Sequence, residues 1–354
     1  MRIRKWYLGK KAGVSVLLGV IVLSLSACVD YSGTSSASAE KTESAVASAG
    51  DSTDQTETET ETASTGALVN KAGNSPVVIA TSVATAQICE QLEIPLAGVP
   101  HSESYTVPEV YSGAVEVGTG MAPDLEMIAS LHPDWVLSPV SLISDLQPKY
   151  EELNTEYAFL NLSSVPGMYR SIEQLGELFG KEEQAETLVK EFERFYDAYR
   201  QKQDGAEAPT VLILMGVPGS YVVATPASYV GNLVEMAGGR NIYSDETADF
   251  INVNTEDMLE KNPDIILRTA HALPDSVRKM FAEEFVTNDI WKHFSAVEEN
   301  RVYDLDYNLF SMSANLQYQD ALEDLDRIFY GNEKGSDGTA VVEVMEEATE
   351  EGGN

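Results

Sequence analysis

Cysteine is almost absent from this sequence: only Cys28 and Cys89 occur. Cys28 ends an apolar leader, so Cys89 has no partner for an intrachain disulfide. Within "TAQICEQLEI" it reads as a small packing residue on a helix. Positive charge is also scarce, with 23 Lys and Arg against 57 Asp and Glu and a formal net charge of -34. A field of that sign repels nucleic acid and anionic lipid, so neither is a partner by charge. The apolar run of the leader, "VSVLLGVIVLSL", is 12 residues long, short of the roughly 20 that span a bilayer. A nucleophile elbow, an HExxH motif and carboxylates paired at a matched spacing are all missing, so the chain reads as no enzyme. Histidine is limited to His101, His132, His271 and His293, which leaves few groups that bind metals well.

Arg2, Arg4, Lys5, Lys10 and Lys11 precede the apolar run, which ends in "LSAC". Basic, apolar and small-residue regions in that order make residues 1–28 a signal peptide. The "LSAC" stretch resembles the lipobox of bacterial lipoproteins, in which Cys28 would carry the lipid. Residues 29–75 are Ser, Thr, Ala, Glu and Gly around "TDQTETETETAST". They lack apolar periodicity and cannot bury enough surface to offset their ordering entropy, so an acidic, disordered tether is expected. Residues 331–354 are similar and are expected to form a disordered acidic tail. The anticipated location is the extracytoplasmic face of the cell membrane, held by lipid on Cys28 rather than by a basic patch.

Between these ends, β-rich runs alternate with amphipathic helices, the pattern of an α/β fold with mainly parallel sheets. Expected strands are 76–81, 96–100, 134–139 and 157–162, then 210–217, 220–225, 264–269 and 301–305. Two segments match one another, "DLEMIASLHPDWVLSP" from Asp124 and "NTEDMLEKNPDIILRT" from Asn254. Each reads as a helix, a Pro-Asp break and a buried strand. Two Rossmann-like lobes follow, 76–180 and 206–330. Residues 181–205 carry Ala185, Leu188, Val189, Phe192, Phe195, Tyr196 and Tyr199 at helical spacing without Gly or Pro until the end. That segment predicts a single long helix joining the lobes, a connection that limits hinge closure.

Residues 76–330 resemble the substrate-binding lipoproteins of ABC importers, in the class that captures iron chelates, cobalamin and haem. The stretches "HPDWVL", "VLILMGVPGSYVVAT", "MAGGRNIY", "NPDIILR" and "IWKHFSAVEENRVYDL" carry the resemblance. In open parallel sheets ligands bind beyond the carboxyl ends of the strands. His271 follows strand 264–269 there, and Met121 follows a short run at 116–118 in the other lobe. His101, after strand 96–100, competes for the same role, whereas His132 sits at a helix end and His293 on an amphipathic turn. A thioether and an imidazole are a poor set for zinc, but Met and His are an axial pair for haem iron, whose porphyrin fills the other positions.

"GTGMAPD", "ILMGVPGSYVVATPASYVG" and "LRTAHALP" look like the haem-receptor lipoproteins of Isd-type uptake systems. That resemblance implies Met121 and His271 as axial ligands. It also implies transported haem b, held non-covalently since no CxxCH exists, an ABC permease with a cytoplasmic ATPase, and cell-surface haem donor proteins. For the haem propionates, the N–H groups of Ser82, Val83 and Ala84 at a helix start form an anion site, with Ser102, Ser104 and Tyr105 in the next loop. The family tends to place a basic residue in this region, but no Lys or Arg occurs between His101 and Lys149. Met215, Val217, Tyr229, Phe310 and Met312 are expected as pocket walls, although such a stripe also suits a core. Glu126 and Glu235 match the exposed carboxylates with which this importer class meets permease arginines. The alternative is a siderophore or cobalamin receptor of the same fold. An anionic siderophore would want clustered cations in the cleft, and Arg268 is the only one in the ligand loops.

Overall fold

The computed structural model describes residues 75–331 and 334–339. The expected signal peptide with Cys28, the tether up to residue 74 and the last residues of the tail lie outside them. Among the described residues no helix is long and apolar enough to cross a membrane.

The N-terminal lobe is a five-stranded parallel sheet: β1 (Val78–Ala80), β2 (Gly98–Val99), β3 (Val115–Glu116), β4 (Trp135–Pro139) and β5 (Glu156–Leu160), ordered β3-β2-β1-β4-β5. Its helices are α1 (Val83–Gln91), α2 (Leu125–Ser130), α3 (Ile143–Leu153) and α4 (Val165–Phe179). The 21-residue α5 (Glu182–Lys202) then leads to the second sheet. That sheet contains β6 (Thr210–Val217), β7 (Ser220–Ala224), β8 (Arg240–Asn241), β9 (Phe250–Ile251), β10 (Ile265–Ala270) and β11 (Val302–Asp304). Its order is β11-β10-β6-β7-β9, with β8 also on β6. The helices are α6 (Tyr229–Met236), α7 (Thr255–Lys261), α8 (Pro274–Thr287), α9 (Ser295–Glu298) and α10 (Tyr318–Tyr330). The fold is the α/β arrangement of two lobes read from the sequence.

All six residues of β10 are buried, as expected of a strand covered on both faces. The helix–Pro-Asp–strand unit occurs twice with the same local chemistry. Asp124 caps α2 through bonds from the Glu126 and Met127 N–H groups, and Asn254 caps α7 through the Asp257 N–H. His132 (φ 48°) and Asn262 (φ 40°) leave the helices in the left-handed region, and Pro133 and Pro263 prevent continuation. Asp134 then accepts the Val77 N–H at 2.8 Å, and Asp264 accepts the Thr210 N–H at 2.7 Å. In each lobe the carboxylate ties the new strand to the start of its neighbour. The antiparallel β7 and β9 belong to the second lobe alone. β8 and β9, two residues each, were too short to show as patterns.

Besides the chain crossing at helix α5, non-covalent contacts join the lobes. The Val165 N–H donates to Asn232 Oδ1 at 2.9 Å, and the Ala314 N–H to Leu162 O at 2.7 Å. Tyr169 stacks on Phe192 with centroids 4.4 Å apart and hydrogen-bonds Tyr318 of α10 at 3.2 Å. One apolar cluster runs through α4, α6 and α10 and collects buried side chains from both sheets. The lobes thus share a core of packed side chains.

The expected tail requires a correction. Residues 334–339 lie on the second lobe, where Ser336 and Val302 exchange N–H···O bonds of 2.9 and 3.1 Å. Gly338 O accepts from Arg268 Nη1 at 2.7 Å. The polar composition concealed this, because the segment docks through backbone groups and not through an apolar stripe.

Candidate functional site

The carboxyl ends of both sheets carry the loops singled out by the sequence. After β1, Ser82 caps α1, its hydroxyl accepting the Thr85 N–H at 3.2 Å. The N–H groups of the helix's first turn point beyond the sheet edge, as helix starts do. The loop after β3 folds back on itself there. Gly118 (φ 84°) bridges Pro123, and the Asp124 N–H donates to Val117 O at 2.7 Å. A side chain on Gly120 would come within 3.3 Å of Thr81 O, so this glycine lets the loop lie against the start of α1. Met121 stands on the turn with 70% of its surface exposed. The turn that carries Met121 thus lies, at Gly120, against Thr81 and Ser82 at the start of α1.

His271 follows β10 directly, and its N–H donates to Gly216 O at 2.8 Å, continuing the β6 ladder by one bond. Its side chain is half-buried. Buried polar side-chain atoms nearly always have partners, yet among the described residues His271 Nδ1 and Tyr229 Oη have none of good geometry. Nδ1 is therefore sealed away inside the lobe. Burial lowers the imidazole's pKa below its ordinary value, keeping the ring neutral, as a metal ligand must be. The remaining histidines differ. His101 Nδ1 lies 3.0 Å from Glu116 Oε2 at the surface, and His132 and His293 are exposed.

The lobes touch beside these loops. Tyr105 stacks on Tyr307 with centroids 5.2 Å apart and 26° between planes. Burial and its Tyr307 contact push the Tyr105 phenol's pKa up. Ser102 Oγ accepts the Tyr105 N–H at 3.0 Å, shaping the turn, and Ser104 is exposed. Of the expected pocket walls, Val217 and Met312 are half-buried. Met215, Tyr229 and Phe310 are 2%, 1% and 0% exposed, so these three support the cleft from the core and do not face it. Their spacing marked apolar positions without distinguishing wall from interior. Burial pushes the Tyr229 phenol's pKa up. Glu126 and Glu235 are both exposed, one on each lobe, and partial burial raises the Glu235 pKa.

Arg268 is not a cleft cation. It is 1% exposed and forms a two-pronged pair with Asp304, at 2.8 Å from Nε and 2.6 Å from Nη2, with Phe285 beneath the guanidinium. A small recess of about 10 Å³, room for one water, lies beside it. Its walls include Thr269, Ala270, Arg278 and Tyr307. Arg278 escaped the sequence reading, although the basic pair Arg278–Lys279, one turn into the helix after the loop of His271, was the available sign. No cluster of three or more His, Cys, Asp or Glu suited to a metal ion occurs among the described residues. A His271 site for iron therefore fits an ion whose equatorial positions are already filled, as in haem.

Two facing α/β lobes with ligand loops at their carboxyl edges define a bilobed substrate-binding protein. The chain belongs to the periplasmic binding protein family, whose model matches residues 78–309. It is 42% identical over 262 residues to the high-affinity heme uptake system protein IsdE of Staphylococcus aureus strain Newman, covering 73% of this chain and 88% of that protein. The crystal structure of S. aureus IsdE complexed with heme superposes with a TM-score of 0.69 at 41% identity, covering 72% of this chain and 99% of that one. An ABC transporter substrate-binding protein from Listeria monocytogenes EGD-e gives a TM-score of 0.70 at 46% identity, covering 73% and 100%. These relatives are substrate-binding transport proteins; the chain is grouped with them, not with enzymes.

Proposed function

We propose that this protein captures haem outside the cell and delivers it to an ABC permease. Haem is held between the lobes with iron ligated by His271 Nε2 and Met121 Sδ. The observation that carries this reading is the half-buried imidazole of His271, its Nδ1 sealed away and its pKa lowered by burial, in a chain 42% identical to a heme uptake protein. Met121, exposed on the opposite lobe's turn, has the freedom to swing onto the other axial position. The α1 start at Ser82, Val83 and Ala84 supplies N–H groups for one propionate, joined by the Ser102–Tyr105 turn. Cys28 would tether the protein to the outer face of the membrane, and Glu126 and Glu235 would meet the permease, which a cytoplasmic ATPase drives. Donor proteins at the cell surface would supply the haem.

The test is a set of titrations of the purified protein with haemin, cobalamin and a ferric siderophore. Haemin should bind tightly at one equivalent and raise the melting temperature, since a ligand at 100 times its Kd adds about 2.7 kcal/mol. Stabilisation by cobalamin or the siderophore, with no response to haemin, would overturn the assignment.

A further inference from the structure

The lobes also meet outside their shared core, where Tyr105 stacks on Tyr307. Tyr105 belongs to the loop after β2, and Tyr307 to the loop after β11, the edge strand of the second sheet. Both rings are half-buried. The Tyr105 phenol also interacts with the side chains of Tyr307 and Ser311, so ring and hydroxyl alike lean on the second lobe. Each tyrosine is tied to its own lobe's ligand loop. In the first lobe the His101 N–H donates to Gly118 O at 2.8 Å, joining the stretch before Tyr105 to the turn that carries Met121. In the second, the Leu305 N–H donates to Arg268 O at 2.8 Å, and Thr269 Oγ1 donates to Phe310 O at 2.8 Å. Those two bonds flank Tyr307 in sequence and fasten its loop to the strand that runs into His271.

A run of hydrogen bonds and one stacked pair thus connects the Met121 turn to the His271 strand. Stacked rings make a directional contact, and two axial donors must keep a set separation to hold one iron from opposite sides. Resting on the haem reading above, we propose that Tyr105 and Tyr307 form a clasp between the lobes that holds the two ligand loops around bound haem and slows its release. The two tyrosines are positioning residues: they act through the loops of Met121 and His271 and need no contact with the porphyrin. Separating those loops to free haem breaks the stack, whereas the shared core around α4, α6 and α10 can stay packed.

The experiment loads haemin on wild type, Tyr105→Ala, Tyr307→Ala, the double variant and Tyr307→Phe, and follows haem transfer to excess apomyoglobin. An aromatic pair is worth about 2- to 12-fold, and each alanine variant should speed haem loss by that factor. The double variant should lose haem no faster than either single one, because the same contact is removed in all three. Tyr307→Phe, which keeps the stack, should stay within about 2-fold of wild type. The iron absorption bands should hold their wild-type positions throughout, since both axial ligands remain. Unchanged release in Tyr307→Ala would overturn the proposal. So would effects that multiply in the double variant, which would place each ring's role within its own lobe. Failure of wild type to retain haemin would instead overturn the haem reading, and this assignment with it.

Discussion

Asp124–Pro139 and Asn254–Thr269 are one unit built twice, and their differences explain more than their likeness. Helix cap, left-handed exit, proline and strand-tying aspartate match position for position. The strands then diverge. Ser138 in the first lobe shares short bonds with Thr81 and Tyr150 hydroxyls, at 2.7 and 2.9 Å. Its counterpart, Arg268, fills the same level with an ion pair, an aromatic bed and a bond to the docked segment at Gly338. The ligand loops do not correspond either. Met121 precedes the repeated helix, whereas His271 follows the repeated strand. A duplicated frame thus offers two ligand edges while leaving each lobe to fill its edge differently. His271 on its edge is half-buried, and Met121 on the other is exposed.

That contrast can be broken at its strongest point first. Asp304→Ala leaves Arg268 charged and buried, and should cost about 3–5 kcal/mol, whereas Ser138→Ala at the matched position should cost about 1 kcal/mol. Denaturant unfolding of the two variants checks this, and equal losses would erase the distinction. The caps sharpen the likeness: Asp124→Ala and Asn254→Ala should each cost about 1 kcal/mol, with neither lobe favoured. The smallest effect is acid dependence at Asp264. Burial opposes its charge, but the Thr210 hydroxyl and N–H and the nearby Arg301 and Arg240 outweigh it, lowering the pKa. A carboxylate depressed in the fold stabilises it above the unfolded value of about 3.9. That contribution disappears as pH falls through the lower folded value. Asp264→Asn should therefore flatten the stability curve below about pH 4 relative to wild type.

Much of this was legible in the chain because the informative residues act locally. Proline after a helix, an aspartate before a buried strand and an apolar run such as "DIILRT" specify their own conformations. The positions of Met121 and His271 on loops beyond β3 and β10 were legible from the strands before them. What stayed hidden depends on long-range packing. Met215, Tyr229 and Phe310 share the apolar spacing of wall residues, and only the fold decides which side faces the cleft. Arg268 read as a cleft cation until Asp304, 36 residues away, took its fork. Arg278 sat unnoticed on an ordinary helix face. The docking of residues 334–339 depends on backbone atoms, which composition does not report.

The haem proposal turns on one imidazole and one thioether from opposite lobes ligating the same iron. The most direct measurement is the absorption spectrum and retained haem of wild type, His271→Ala and Met121→Ala after haemin addition and gel filtration. Imidazole is the stronger donor, so His271→Ala should lose most of the haem or shift the Soret and visible bands strongly. Met121→Ala should keep more haem and show a smaller but distinct shift. Bands and haem content identical to wild type in His271→Ala would contradict the account.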